Sequence, residues 1–61
     1  MNITKLFETK TPSNNKISTI KIEKIYETMV FDSFGEELAC WQTTRKYEAK
    51  RNHDLAVFRY I

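Results

Sequence analysis

One glycine, Gly35, and one proline, Pro12, punctuate the whole chain of 61 residues. Glycine and proline are the residues that most readily reverse a backbone. With so few of them, the sequence has room for few tight turns and must fold as long, uninterrupted segments. Gly35 lies in Asp32-Ser33-Phe34-Gly35-Glu36. This is the best turn in the chain, because Asp and Ser supply local hydrogen bonds and glycine accepts a positive φ. Pro12 lies in Thr9 to Lys16, the one loop-like cluster of Pro, Ser and Asn.

The segments between these marks have distinct characters. Ile17 to Phe31 is rich in Ile, Thr, Tyr, Val and Phe, which favour strands. Ile20, Ile22, Tyr26, Thr28 and Val30 share one parity, and Ile25, Met29 and Phe31 the other, so the apolar alternation changes near Lys24-Ile25. A bulge explains this change, and so does a strand with apolar contacts on both faces. Glu37 to Gln42 reads as the return strand, with Leu38, Cys40 and Gln42 facing one way and Ala39 and Trp41 the other.

Arg45 to Asp54 carries good helix formers and no breaker, with Thr43 or Thr44 placed to cap the helix. Ala49, His53, Ala56 and Tyr60 form one helical stripe, widened by Val57, with Leu55 and Phe58 on a neighbouring face. The last seven residues, Leu55 to Ile61, also read as a short strand. The expected fold is α+β: an antiparallel hairpin of residues 17–31 and 37–42, packed by one C-terminal helix over about 45–60. Residues 1–16 form an N-terminal arm and linker before a hairpin–helix domain of residues 17–61. Ile3, Leu6 and Phe7 suit either one docked helical turn or a loose end.

Tyr26-Glu27-Thr28-Met29-Val30-Phe31, the Gly35 turn and the aromatic strand after it resemble a group of very small bacteriophage proteins. In that group the helix after the hairpin carries Glu-Ala and a His four residues later, as Glu48-Ala49 and His53 do here, with Val57 continuing the pattern. The resemblance covers residues 26–57. It implies a hairpin plus a helix and a phage origin, and it implies no activity.

Chemistry is thin. Cys40 is the lone cysteine and His53 the lone histidine. One of each cannot build a zinc site without carboxylates, so no metal and no cofactor is expected. Cys40 sits in the apolar run Leu38-Ala39-Cys40-Trp41 and reads as a small packed residue. His53, on the helical stripe, reads as a structural histidine bonded to a backbone carbonyl, and a Cys–His pair is the only nucleophilic constellation to weigh against that. Glu36 and Glu37 point to opposite faces of a strand and make no acid–base dyad. The chain therefore reads as a non-enzyme.

The lack of an internal disulfide favours a reducing compartment. No run approaches the ~20 apolar residues of a membrane span, and the first ten residues lack a signal-peptide core. A cytoplasmic protein without membrane contact is expected, in the host bacterial cytoplasm if phage-encoded. The net charge of +2 is too small for a dedicated nucleic-acid binder. All of it comes from residues 1–30, whose lysines read as edge protection.

What remains is binding. Phe34 at the turn tip, Trp41, Arg45, Lys46 and Lys50 are the candidate partner-binding residues, since aromatics and arginine are enriched at interface hot spots. The expected function is that of a small phage accessory protein that binds a bacterial host protein and inhibits or redirects it by covering a functional site. The alternative is a nucleic-acid-binding module using the basic helix face. Exposed strand edges of so small a unit also predict a homo-oligomer, most simply a dimer that joins two hairpins.

Overall fold

The computed structural model describes residues 2–61. Four strands and one helix follow in order: β1 (Ile3–Lys10), β2 (Lys16–Ile22), β3 (Ile25–Phe31), β4 (Glu37–Thr43) and α1 (Lys46–Arg59). The strands form one antiparallel sheet in the order β1-β2-β3-β4, so each strand pairs with its neighbour in sequence. α1 lies across one face of this sheet. The α+β class, with an antiparallel sheet packed by a single C-terminal helix, is the architecture expected from the residues.

The long apolar stretch of residues 17–31 is two strands, not one. Glu23-Lys24 is a two-residue turn between Ile22 and Ile25, which face each other across the β2–β3 pair. Directly opposed residues share a face. This puts Ile22 and Ile25, of opposite parity, on the same side and explains the change of alternation without a bulge. Glu23 takes a positive φ of 56° there, a conformation that side chains resist and glycine accepts.

The segment read as an arm is β1, the outer strand against β2. Its registers run Lys5↔Ile20 and then Phe7↔Thr19, leaving Leu6 as an extra residue. The bulge therefore lies in β1. It brings Lys5 and Glu8 to one face, where their side chains pair at 2.9 Å. The Pro12 cluster forms the β1–β2 turn. Thr11 N donates to the Asn15 carbonyl at 2.8 Å, and Asn14 takes a positive φ of 68°. The Gly35 turn forms as expected, at φ 81°.

Two cross-sheet rows meet the helix: Thr9, Ile17, Val30 and Ala39, and beside them Phe7, Thr19, Thr28 and Trp41. Against them α1 places Ala49, His53 and Ala56, all buried, with Tyr60 half-buried. The spacing of +4, +3 and +4 keeps these on one side, and the two alanines let the helix approach closely. Ile17 and Val30 are fully buried, and such side chains stabilise by about 1.5–3 kcal/mol each.

Neither Thr43 nor Thr44 caps the helix. Arg45 occupies the cap position with an extended backbone and no side-chain bond. Thr43 lies two residues before it. Its hydroxyl accepts from Arg45 N at 3.2 Å and donates to Glu48 Oε1 at 3.0 Å. At the other end, the Tyr60 carbonyl accepts from Ser13 Oγ and Asn15 Nδ2, both at 3.1 Å. These bonds pin the end of the helix to the β1–β2 turn.

Candidate functional site

Among the residues expected to bind a partner, Phe34 sits at the tip of the β3–β4 turn and is 91% exposed. Asp32 builds that turn. Its Oδ1 accepts from both Phe34 N and Glu36 N at 2.9 Å, while Gly35 N donates to the Asp32 carbonyl at 3.0 Å. Trp41 lies in β4 on the helix side and is half-buried. Arg45 stands at the start of α1, and its Nη1 donates to the Tyr47 hydroxyl at 3.2 Å. Lys46 opens the helix and is exposed.

Lys50 is already engaged. It reaches both carboxylate oxygens of Asp54 at 2.8 and 2.9 Å and lies 5.5 Å from the centre of the Phe7 ring. The five residues do not form one patch. Phe34 precedes β4 and Arg45 follows it, and a seven-residue strand spans about 23 Å. Lys50 lies toward β1, away from Trp41 on β4.

The structure brings a different set together. Tyr47, Arg51, Leu55 and Phe58 fall at spacings of +4, +4 and +3, on the side of α1 opposite the buried Ala49, His53 and Ala56. Tyr47 is 65%, Leu55 57% and Phe58 78% exposed. Where α1 meets β4, Trp41, Asn52, Leu55, Phe58 and Arg59 line a groove of about 430 Å³. The signal for this surface was in the sequence. The helix has an apolar residue on nearly every side, which a helix packed on one face only does not need.

The candidate chemical groups are kept apart. His53 is 3% exposed. Its Nε2 lies 3.0 Å from Thr9 Oγ1 and its Nδ1 2.8 Å from Thr19 Oγ1, which in turn meets Thr28 Oγ1 at 2.8 Å. Hydroxyls, not a backbone carbonyl, hold the ring. The Phe7 ring packs against it with centroids 5.6 Å apart. Burial pushes the imidazole below its ordinary value near 6.5, Asp54 opposing and Lys50 reinforcing the shift.

Cys40 is exposed and pairs with Met29, on the face away from the helix. The sheet therefore stands between Cys40 and His53. Desolvation first, then Glu27 and Glu37, push the Cys40 thiol up, which disfavours the thiolate. Among the described residues, no cluster of three or more His, Cys, Asp or Glu is placed to hold a metal ion, and no helix is long and apolar enough to cross a membrane.

No protein-family model, curated protein or solved structure matches this chain.

Proposed function

We propose that this is a small phage-type accessory protein that binds a bacterial host protein in the host cytoplasm and inhibits or redirects it by occlusion. The observation that carries the proposal is the second apolar stripe of α1. A 14-residue helix that already buries Ala49, His53 and Ala56 against its sheet presents Tyr47, Leu55 and Phe58 outward. Leaving Leu55 and Phe58 in water costs hydrophobic free energy that covering them would recover. Arg45, Arg51 and Arg59 accompany these side chains, while the helix carboxylates Glu48 and Asp54 are engaged by Thr43 and Lys50. The matching partner surface is apolar with an acidic rim. Phe34 extends the contact only if the partner also reaches the β3–β4 turn. The phage origin rests on the sequence resemblance alone.

The test is capture from bacterial lysate with and without nuclease, comparing the native chain with Phe58→Asp and Arg51→Glu. One stoichiometric protein should survive nuclease and be lost with either variant, while circular dichroism shows both variants folded. Capture abolished by nuclease favours the nucleic-acid alternative through Arg45, Lys46 and Lys50. Capture unchanged in both variants overturns the assignment of the helix face.

A further inference from the structure

We propose that β4 is a docking edge for a second copy of this chain, paired antiparallel about a two-fold axis at Trp41. The two edges of the sheet are built differently. β1 carries a bulge at Leu6 and the charges Lys5, Glu8 and Lys10, features that discourage another strand from adding. β4 reads Glu37-Leu38-Ala39-Cys40-Trp41-Gln42-Thr43, with its one charge at the first residue. Its register irregularity lies at Leu38, next to the turn. From Ala39 to Thr43 it pairs residue for residue with β3. That regular stretch is centred on Trp41.

Charge selects the partner and the direction. Glu36 and Glu37 precede the regular stretch, and Arg45 and Lys46 follow it. Two identical strands laid antiparallel about Trp41 bring the Glu36-Glu37 end of one copy beside the Arg45-Lys46 end of the other, and the two-fold repeats this at both ends. A parallel arrangement sets acid on acid and base on base. The pairing is isologous, so it closes at two copies and grows no further.

It also places the two Trp41 side chains opposite each other on the helix face, an aromatic pair of the kind that stabilises cross-strand contacts. The two grooves beside Trp41 then lie side by side. The contact is independent of the host-protein reading. Self-association is read without lysate, and capture is read whether or not the bait is a dimer.

The first measurement is molar mass by light scattering or sedimentation, across protein concentration at low salt. A dimer of twice 7.3 kDa is expected. Glu37→Arg and Arg45→Glu should each weaken it by about tenfold or more, and the double swap Glu37→Arg/Arg45→Glu should restore it. Both sites are exposed, so the single variants should stay folded, which circular dichroism checks. Gln42→Cys provides an independent reading of register. In this pairing Cys40 lies opposite residue 42 of the second copy, so mild oxidation should yield a covalent dimer of the variant and none of the native chain. A monomer at every concentration overturns the proposal, as does a dimer indifferent to the charge reversals. Failure of Gln42→Cys to cross-link in a confirmed dimer overturns the register.

Discussion

His53 Nδ1 lies 2.8 Å from Thr19 Oγ1, and this one contact joins the middle of the helix to the middle of the sheet. Thr19 serves both sides, since its hydroxyl also meets Thr28 at 2.8 Å. Removing it leaves a buried ring nitrogen without its partner. Thr19→Val should destabilise the fold by about 1–3 kcal/mol, and Thr19→Ser, which keeps the hydroxyl, by less. The shift in urea midpoint at constant slope measures both.

Acid should weaken the fold through the same residue. Burial holds the His53 imidazole below its ordinary value, so the unfolded chain binds the proton first. Stability is then complete above about pH 6.5 and falls as pH drops below that value toward the folded-state value. Glu8, held low by Lys5, also loses its contribution in acid, but below the ordinary carboxylate value. The window from pH 7.5 to 5.5 therefore isolates His53. Denaturation midpoints should decline across it in the native chain and stay flat in His53→Asn.

Much of this architecture is legible in the residues. The helix announces itself by Ala49, His53, Ala56 and Tyr60, and the last turn by Asp32 and Gly35. The buried face of the sheet is not legible by hydropathy. Thr19 and Thr28 lie under the helix, while Ile20 and Ile22 lie half-buried on the open side. The threonines are inside because His53 is inside and needs hydroxyls, a match between residues far apart in sequence. The β2–β3 turn escaped for a local reason: Glu23-Lys24 lacks the glycine or asparagine by which such turns are recognised. The exposed groove between α1 and β4 was half legible, since Trp41 was singled out while Leu55 and Phe58 were noted only as a neighbouring face.

That turn is a place where the chain can be improved. Glu23 holds φ 56° without the freedom of glycine. Glu23→Asn or Glu23→Gly should stabilise by about 0.5–1 kcal/mol, a rise in melting temperature of a few degrees. A loss of stability in both would show that the Glu23 side chain contributes more than its backbone strain costs.

The two faces of α1 should respond oppositely to substitution. Phe58→Asp, on the outer face, should change stability by no more than about 0.5 kcal/mol. Ala56→Leu, at 1% exposure against Ile17 and Val30, should cost about 1–3 kcal/mol or more by overpacking. Thermal unfolding of the two variants beside the native chain decides the comparison.

The meander order of the strands also sets the kinetics. Every β contact is made between segments adjacent in the chain, so loop closure is short at each step and three hairpins can form in sequence. The distant ties are those of the returning helix: Thr9 to His53, and Ser13 and Asn15 to the Tyr60 carbonyl, 44 to 47 residues apart. These contacts close the longest loops, so they should form last on folding and break first on unfolding. Weakening the clasp at Tyr60 should accordingly quicken unfolding and leave the rate of folding almost untouched. The helix, which carries the exposed aromatic stripe, should then be the part of the molecule with the shortest residence in its native place.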